Sequence, residues 1–386
     1  MIFTSYNNII SPLGFSTQEN YQAVTNSIIG VKKIKLPFSQ DEFCVAKISD
    51  DKIQEHLSQI KNADTHTKLE QLSILSIQDV INQSGINPRD NRTLLIYSTT
   101  KGNIDILSFD YAQDDRYKGI DSKRAYLSVF AKHLQSYFQL AHTPVVLSNA
   151  CISGILAIII AKRFIEQGAY DNVLVCGGDI LSEFTISGFK SFNALSSEPS
   201  KPFDANRVGI NLGEAVSTIL ITNQKGLATP YNTQLVSGAS ANDANHISGP
   251  SRTGDGLFQC LTETLKNNST TDIGFISAHG TATPFNDEME SIAFDRAGLN
   301  TIPVNSLKGY YGHTLGAAGV LETILSLESM QHQRLIKSEG FEAKGVTGNV
   351  TMIESHQDKN FTSFIKTASG FGGCNAAALF KKYKHE

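Results

Sequence analysis

The sequence predicts an α/β fold built from repeated strand and helix units. Short β-branched segments typical of buried strands, such as TLLIYS, PVVLSN and NVLVCGG, alternate with longer helical stretches, such as TKLEQLSILSIQDVINQSG and CISGILAIIIAKRFIEQG. This alternation is typical of helices packed on a largely buried sheet. The chain has 386 residues, of which 40% are hydrophobic and 18% charged. That is enough for a sizeable core and is the composition of a globular protein.

The two halves of the chain carry a weak internal echo. In the first half, TLLIYSTTKG precedes PVVLSNACISGILAIIIAKRF and then NVLVCGGDILSEF. In the second half, DIGFISAHGTATP precedes TIPVNSLKGYYGHTLGAAGVLETILSL and then FIKTASGFGGCNAAALF. The echo aligns Cys151 with His313, each at a turn between a strand and an apolar helix. Any two such units look alike at this level of detail, so the pattern alone leaves duplication and coincidence open.

Composition and charge exclude several classes of protein. There are 33 Lys and Arg against 37 Asp and Glu, a net charge of −4, so no global basic field is available for nucleic acid. The longest strongly apolar run, Ile155 to Ala161, is far shorter than the ~20 residues of a membrane span. The first residues lack the basic and apolar regions of a secretory signal, which favours the cytoplasm.

The cysteine pattern argues against a disulfide framework and a zinc site. The five cysteines are scattered, with no CxxC pair and no histidine at zinc spacing, and their number is odd: Cys44, Cys151, Cys176, Cys260 and Cys374. We therefore expect reduced thiols and no metal. No linker of biased composition divides the chain, so separate tethered domains are not expected.

One cysteine lies in a chemically distinctive segment. Cys151, in SNACISGILAIIIAKRF, stands between a buried strand and an apolar helix, which predicts that its sulfur caps the N-terminus of that helix. The helix end would lower the thiol pKa, and its free N–H groups could hold an oxyanion. The alternative is a structural cysteine, since free cysteines are often small buried hydrophobes.

Two histidines occur in similar strand-end loops. His279 lies in FISAHGTATPFNDEME, before an acidic run that opens a helix, and His313 lies in NSLKGYYGHTLGAAG between glycines and a small-residue helix. The other histidines lack such surroundings. A cysteine nucleophile with two imidazoles is a set suited to acyl transfer, and this chemistry is the prediction from the residues alone.

Four strings carry a resemblance to a known family. NACISG, AHGTATP, LKGYYGHTLGAAG and SGFGGCN resemble, in order and spacing, the signatures of the type I/II β-ketoacyl-acyl-carrier-protein synthases. The resemblance implies a thiolase-like duplicated α/β fold, layered αβαβα. It divides the chain into a half at 1–222 that carries the cysteine and a half at 223–386 that carries both histidines.

The resemblance also implies roles for the matching residues. Cys151 would accept an acyl group from acyl carrier protein, and His279 and His313 would polarise the malonyl thioester during decarboxylation. The carbanion would then attack the acyl-cysteine in a Claisen condensation that yields 3-oxoacyl-acyl-carrier protein. Lys308 matches a lysine that forms a buried ion pair with a glutamate, here Glu322, which would fix the site electrostatically.

A glycine-rich loop matches the gate of the family. Phe371 corresponds to the gating phenylalanine, whose backbone N–H joins that of Cys151 in the oxyanion hole. The flanking Gly370 and Gly372 would permit the loop to move.

Further matches concern the substrate arm and its carrier. Thr281 and Thr283 match hydroxyls that bind phosphopantetheine, with helix capping as the alternative. No resident cofactor is implied, because the substrates are carried on the phosphopantetheine of acyl carrier protein. Lys123 and Arg124 form a local basic cluster that we expect to dock this acidic carrier. The family also implies a homodimer, with a heterodimer with a paralogue as the alternative.

Four positions depart from the family pattern, namely Asn149, Val208, Ser369 and Cys374. Val208 and Ser369 fall on the loops expected to gate the pocket, so acyl length and saturation stay open, as does the choice between fatty-acid and specialised polyene or polyketide synthesis. Two other functions remain alternatives. A non-condensing chain-length partner typically lacks the nucleophile, and a coenzyme A thiolase or type III synthase would replace one histidine string.

Overall fold

The computed structural model describes residues 1–107, 120–228, 231–243, 245–246 and 249–383. In this part of the chain, eleven strands form one mixed sheet. From edge to edge they are β13 (Thr351–Met352), β11 (Pro303–Asn305), β10 (Ile273–Ser277), β15 (Ser363–Gly370), β16 (Cys374–Lys382), β9 (Thr233–Asn242), β1 (Phe3–Ile10), β8 (Ala215–Thr222), β6 (Asn172–Asp179), β4 (Thr93–Ser98) and β5 (Val145–Leu147).

The remaining elements surround this sheet. Two small sheets contain β2 (Lys32–Lys35), β3 (Glu42–Ala46) and β7 (Leu212–Gly213), and β12 (Arg334–Leu335) with β14 (Gln357–Asp358). The α-helices are α1 (Thr17–Thr25), α2 (Asp50–His56), α3 (Lys68–Ser84), α4 (Leu127–Phe138), α5 (Ser153–Glu166), α6 (Glu183–Ser191), α7 (Asp255–Leu265), α8 (Pro284–Arg296), α9 (Lys308–Tyr311) and α10 (Ala318–Gln331). Short 3₁₀ turns lie at Leu57–Gln59, Ala63–Thr65, Ile104–Leu107, Ser122–Ala125, Lys225–Leu227 and Leu315–Ala317. No helix in the described ranges is both long and apolar enough to cross a bilayer.

Local sequence explains the best-defined helix boundaries. At the start of α3, the Thr67 side chain accepts from the Glu70 N–H while the Glu70 side chain accepts from the Thr67 N–H. This reciprocal capping satisfies two N–H groups that would otherwise lack partners. The helix ends at Gly85 with φ +66°, a left-handed conformation that glycine adopts without strain. The helix predicted from the TKLEQLSILSIQDVINQSG segment is therefore confirmed.

The large sheet repeats one strand pattern twice. In the order β5-β4-β6-β8-β1, the first two pairs of neighbouring strands are parallel and the next two pairs are antiparallel. The order β11-β10-β15-β16-β9 shows the same sequence of pairings. The two sets meet where β1 and β9 pair antiparallel, at Phe3 with Gln234 and Thr4 with Thr233. The internal echo in the sequence thus corresponds to equivalent strands in the two sets. The boundary predicted after residue 222 coincides with the last residue of β8 and stays a prediction.

Helices and the two strand sets form five layers, as the pattern of burial shows. Alternate side chains of each strand set face opposite layers, as the period of two requires. The outer layer of α3 and α4 packs on β4, β6 and β8, and the outer layer of α7 and α8 packs on β10, β15 and β16. The α5 and α10 helices share one core with both strand sets. The predicted αβαβα layering is confirmed.

The two central helices approach closely at a pair of glycines. A Cβ on Gly319 would lie 2.3 Å from the Ile155 N atom, and one on Gly154 would lie 2.9 Å from the Gly319 N atom. These contacts are to backbone, which cannot move aside as a side chain can. Gly154 and Gly319, which follow Cys151 and His313 at the starts of the two central helices, therefore set the distance between these helices.

We expect Gly319→Ala to lower the free energy of unfolding by about 1–3 kcal/mol, the usual cost of overpacking. Gly188→Ala is the matched control, because a Cβ at Gly188 in α6 meets nothing within 4 Å and alanine is the better helix former by roughly 1 kcal/mol. Chemical denaturation of both variants measures the difference. Equal stabilities would contradict the close helix contact.

Candidate active site

The candidate site lies where loops from the two halves meet at the carboxyl ends of parallel strands. The loop after β5 carries Cys151, the loop after β10 carries His279, the loop after β11 carries His313, and the turn between β15 and β16 carries Phe371. These residues line one cavity of about 600 Å³. Open α/β sheets commonly bind ligands at this edge.

Three side chains converge at the bottom of this cavity. The Cys151 Sγ and one nitrogen from each of His279 and His313 all lie within 4.8 Å of one another. The imidazole rings meet edge to face, with centroids 5.0 Å apart and planes at 82°. All three residues are buried. One thiol and two imidazoles are also groups that can bind Zn²⁺. A bound ion would occupy the Cys151 thiol and prevent it from acting as a nucleophile.

The turn before α5 presents Cys151 to the cavity. Ala150 has φ +43°, and Ser153 holds the turn because its hydroxyl donates to the Ala150 carbonyl at 2.6 Å and accepts from the Asn149 N–H at 2.8 Å. The helix begins at Ser153 with Ile152 as its N-cap residue. The prediction that Cys151 itself caps the helix is therefore wrong by one position, because the hydrogen bond from Ser153 to Ala150 keeps Cys151 in the turn that precedes the helix.

The expected low pKa of the Cys151 thiol is also wrong for the resting protein. Burial raises this pKa to about 12, and the neighbouring Cys374 adds to the increase. The Lys308 and Lys101 ammonium groups and the Phe371 N–H act in the opposite direction. Burial disfavours the charged form more than these groups favour it. At neutral pH the thiol is protonated and needs a base to become a nucleophile.

This protonation state has a measurable consequence. Because the pKa is raised, the thiolate fraction of Cys151 should grow about tenfold per pH unit from neutrality into the strongly alkaline range. We expect alkylation of Cys151 by iodoacetamide, followed by mass spectrometry of its peptide, to accelerate in this way with no plateau below about pH 10. A plateau between pH 7 and 9 would instead indicate a thiolate stabilised in the resting state.

His313 is held in one tautomer. The Leu315 N–H donates to the His313 Nδ1 at 3.2 Å, so the ring proton resides on Nε2. This Nε2 is buried and has no hydrogen-bond partner among the described residues. The backbone of His313 is tied to the first half, since its N–H donates to the Asn211 carbonyl at 2.7 Å and its carbonyl accepts from the Gly213 N–H at 3.0 Å. The result is an N–H donor with a fixed position and no partner.

His279 is held through its backbone. Its N–H donates to the Glu290 Oε1 at 2.8 Å, and its carbonyl accepts from the Lys308 Nζ at 2.5 Å. The ring Nδ1 is buried without a partner among the described residues. Burial, followed by the charges of Lys308 and neighbouring groups, holds the pKa of both His279 and His313 well below the ordinary value. Both imidazoles are therefore neutral at pH 7.

The predicted pair of Lys308 and Glu322 is present and has a third member. The Lys308 Nζ lies 2.7 Å from the Glu322 Oε1, and the Lys366 Nζ lies 2.7 Å from the Glu322 Oε2. All three side chains are buried. A buried carboxylate that pairs with two cations avoids the large cost of an isolated charge.

The predicted gate is a three-residue hairpin turn. Gly370 pairs with Cys374 in the strand register, and Gly372 and Gly373 have φ +84° and +75°. The Phe371 backbone N–H is close enough to the Cys151 sulfur to act on its pKa in the downward direction. A Cβ on Gly370 would lie 3.0 Å from the Cys151 N atom, so this glycine permits the hairpin to approach the cysteine.

An aromatic cluster holds the ring of Phe371. It stacks on Phe189 with centroids 5.6 Å apart and planes at 25°, and it meets Phe192 edge to face at 5.5 Å and 72°. Both partners belong to α6 or its end. The position of the Phe371 ring is therefore coupled to this helix.

The two threonines face the cavity. The Thr281 and Thr283 hydroxyls lie 2.8 Å apart. Thr283 is the N-cap residue of α8, yet its side chain makes no capping hydrogen bond. The Asp287 carboxylate instead accepts from the N–H groups of Thr281 at 2.9 Å and Ala282 at 3.1 Å. The Thr281 hydroxyl also accepts from the Thr283 N–H at 3.4 Å, so the two hydroxyls form a local network on the cavity wall.

Two family models match the chain. Beta-ketoacyl synthase, N-terminal domain, matches residues 25–226, and Beta-ketoacyl synthase, C-terminal domain, matches residues 233–342. The chain belongs to the beta-ketoacyl synthase family. The resemblance identified from the four sequence strings is confirmed, and the cavity described above occupies the place where those strings meet.

Similar proteins agree with this membership. The 3-oxoacyl-[acyl-carrier-protein] synthase 2 of Rhizobium meliloti (strain 1021) is 29% identical over 253 residues, which cover 61% of this chain and 60% of the relative. The mitochondrial 3-oxoacyl-[acyl-carrier-protein] synthase of Arabidopsis thaliana is 31% identical over 262 residues, which cover 60% and 55%. The matched part thus spans under two thirds of these curated relatives.

A solved structure extends the likeness to almost the whole chain. The complex of the ketosynthase ApeO with its chain length factor ApeC from Xenorhabdus doucetiae aligns with a TM-score of 0.81 and 26% identity, over 99% of this chain and 98% of that chain. The predicted thiolase-like fold is confirmed by this agreement and by the five layers.

For this beta-ketoacyl synthase, one of the two proposed docking residues is placed differently from the expectation. Lys123 is exposed, but Arg124 turns inward and pairs with the buried Glu70, and its guanidinium also contacts the His133 Nε2 at 2.7 Å. A guanidinium engaged in this way is not free to meet a carrier. The expectation that Arg124 contributes to docking is therefore wrong, because the buried carboxylate requires a partner.

The departures from the family pattern fall close to the site. Ser369 and Val208 line the cavity; the Ser369 hydroxyl donates to the Asn375 Oδ1 at 2.7 Å, and Val208 is 65% exposed. Cys374 is buried beside the hairpin, where its Sγ lies 3.4 Å from the Phe371 carbonyl. Asn149 belongs to the turn before Cys151. Ser369 and Val208 thus alter the wall and mouth of the cavity, whereas Asn149 and Cys374 lie beside the turn that carries Cys151.

Three acidic or basic side chains of the site were not predicted from the sequence. Asp179 accepts from the Gly316 N–H at 2.7 Å and from the Thr100 N–H at 2.9 Å, which joins the two halves. Glu290 binds the His279 loop, and Lys366 binds Glu322. The signal for Lys366 is its strand position, because Phe364 and Ala368 on the same face belong to the central core. A lysine at such a position requires a buried partner.

Proposed function

We propose that this protein condenses malonyl-acyl-carrier protein with an acyl group held on Cys151, which releases CO₂ and gives 3-oxoacyl-acyl-carrier protein. The observation that carries the proposal is the convergence of the Cys151 thiol with two neutral imidazoles in one buried cavity. Membership of the beta-ketoacyl synthase family supports it. So do the names of the carrier-protein-dependent relatives.

The first half-reaction transfers the acyl group to the enzyme. The Cys151 sulfur attacks the thioester carbonyl of acyl-carrier protein, and its proton passes to His279, whose tautomer is not fixed by a ring hydrogen bond among the described residues. The Phe371 N–H near the sulfur, with the Cys151 N–H, stabilises the oxyanion. The pantetheine thiolate leaves and takes the proton back from His279. Both imidazoles are then neutral again.

The second half-reaction forms the carbon–carbon bond. The His313 Nε2–H and a ring N–H of His279 each donate a hydrogen bond to the thioester oxygen of the malonyl group. As the bond to CO₂ breaks, its electron pair becomes an enolate whose charge falls on this oxygen, and the two donors stabilise the transition state more than the ground state. The enolate carbon attacks the carbonyl of the acyl-cysteine, the bond from that carbonyl to the Cys151 sulfur breaks, and the departing thiolate takes up a proton from solvent.

Two features of the chain support binding of the carrier protein: the hydroxyls in the cavity and an exposed lysine. Thr281 and Thr283 present hydroxyls to the phosphopantetheine arm, and Lys123 contributes to docking of the acidic carrier. We place the protein in the cytoplasm as a homodimer of subunits with halves 1–222 and 223–386, with a paralogue heterodimer as the alternative. The matches of two separate family models to residues 25–226 and 233–342 support this division. A non-condensing chain-length role is disfavoured by Cys151.

The test is direct. Purified protein is incubated with an acyl-carrier protein series and ¹³C-labelled malonyl-carrier protein, and mass spectrometry of the carrier measures the 3-oxoacyl product and the acyl group on Cys151. We expect both species, with the preferred acyl length defined by the series. Absence of acyl-Cys151 and of product with every carrier-bound acyl group would overturn the proposal.

A further inference from the structure

The Lys366 side chain is enclosed in a cage of oxygen atoms. Its Nζ lies 2.6 Å from the Thr367 carbonyl, 3.0 Å from the Ser277 carbonyl and 3.3 Å from the Ala278 carbonyl. The Glu322 carboxylate completes the cage at 2.7 Å. Lys366 is completely buried. An ammonium group so far from water persists only when each of its N–H groups has an acceptor.

This cage continues the contacts that hold the His279 loop. Lys366 binds the carbonyls of Ser277 and Ala278, and Lys308 binds the next carbonyl, that of His279, at 2.5 Å. Glu322 joins the two ammonium groups through its two oxygens. Three successive carbonyls at the end of β10 are therefore fixed by one buried set of charges.

The opposite side of the loop is held by a carboxyl group. Glu290 accepts from the N–H groups of His279 at 2.8 Å and Gly280 at 2.6 Å. Burial raises the pKa of Glu290 to about 7, so this group is only partly ionised at neutral pH. Lys308 and Lys366 together outweigh Glu322 by one positive charge, which leaves the surroundings of His279 cationic.

We propose that Lys366 is a positioning residue that fixes the His279 loop and supplies the excess positive charge beside the two imidazoles. This inference rests on the proposed condensation and assigns to it a residue outside the cysteine, the histidines and the pair of Lys308 with Glu322. Lys366 touches no substrate. It acts through the backbone of β10 and through the electrostatic potential at His279 and His313.

The charge has a defined effect on the two imidazoles. Lys308 and Lys366 lower the pKa of both imidazoles, His313 also lowers that of His279, and Lys101 also lowers that of His313. Three further titratable groups lie close by: the Cys151 thiol beside both rings, Glu290 on the His279 backbone, and Glu322 between the two ammonium groups. After burial and Lys308, the ammonium of Lys366 is among the causes that hold the pKa of both His279 and His313 down. Removal of this charge should raise both pKa values. As the pH falls, the imidazole that serves as the base for Cys151 would then become protonated at a higher pH than in the wild type.

The first test compares Lys366→Met with Lys381→Met in the condensation assay. Lys381 is the matched control, because it lies on the neighbouring strand and pairs at the surface with Asp272. We expect Lys366→Met to lower kcat by about 100-fold, the cost of misplacing a reacting group by about 1 Å. The acid limb of its pH–rate profile should move up by about one pH unit, as expected for loss of a neighbouring charge. Lys381→Met should match the wild type in both respects.

The second test replaces the missing ammonium. Lys366→Ala leaves the oxygen cage without its cation, so we expect ammonium chloride to restore folding, measured by thermal melting, and part of the activity, whereas tetramethylammonium chloride should restore neither. If ammonium has no effect on Lys366→Ala, or if folded Lys366→Met keeps the wild-type kcat and acid limb, the inference is wrong. An inactive wild-type protein in the same assay would instead refute the condensation itself.

Discussion

Replacement of Cys151 by alanine is expected to abolish condensation while malonyl decarboxylation continues. Among the described residues that line the cavity, Cys151 is the only cysteine, whereas Cys374 is buried beside the hairpin. The loss of a covalent nucleophile should reduce product formation by at least about 10⁴-fold. The two imidazoles remain, so the enolate can still form and be quenched by a proton. Release of ¹³CO₂ and of acetyl-carrier protein measures this uncoupled reaction.

Cys44→Ala is the control for removal of a buried thiol. Cys44 lies on β3, with its Sγ 3.2 Å from the Ser197 carbonyl, and outside the residues that line the cavity. This variant should condense at the wild-type rate. If Cys151→Ala still formed 3-oxoacyl product at a comparable rate, the acyl group would have to be held elsewhere and the proposed mechanism would fail.

Replacement of His313 by alanine should have the second largest effect. The His313 Nε2–H is fixed by the Leu315 N–H on the opposite ring nitrogen and has no other partner in the described structure. Removal of one such donor from a developing oxyanion usually costs about 10²–10³-fold in rate. We expect a loss of this size in malonyl decarboxylation, measured by release of ¹³CO₂. Transfer of the acyl group to Cys151 should be affected less, because His279 serves as its base.

Two further variants separate hydrogen bonding from packing. His313→Gln keeps an N–H donor near the position of Nε2, so it should retain more decarboxylation activity than His313→Ala. His142→Ala removes a histidine at the surface, where its Nε2 lies 2.9 Å from the Asn91 carbonyl, and should leave the rate unchanged. Equal decarboxylation rates in His313→Ala and the wild type would exclude His313 as the donor to the enolate.

Much of the fold could be predicted from the sequence because the strong signals are local. The helix α3 follows from its apolar periodicity and from Thr67, Glu70 and Gly85 at its ends. The buried strands β4 and β6 follow from runs of β-branched residues. The internal echo anticipated that Cys151 and His313 would occupy equivalent turns, and the strand order of the two halves agrees with it.

The errors arose where a property depends on distant parts of the chain. The Cys151 thiol was expected to be acidic from its place before a helix, yet burial by both halves raises its pKa. Arg124 was expected to be free, yet Glu70 on α3 takes its guanidinium. Lys366 could not be predicted from its strand segment, because its partner Glu322 lies on the distant helix α10.

The sequence by itself therefore determined the chemical groups and the order of the elements that carry them: a cysteine and two histidines in strand-end loops of an α/β chain. Only the tertiary structure decided the protonation of the thiol and the network of Lys308, Glu322 and Lys366. The physical reason is the range of the interactions. Propensity and capping act within a few residues, whereas desolvation and buried charge pairing are set by whichever residues the fold brings together.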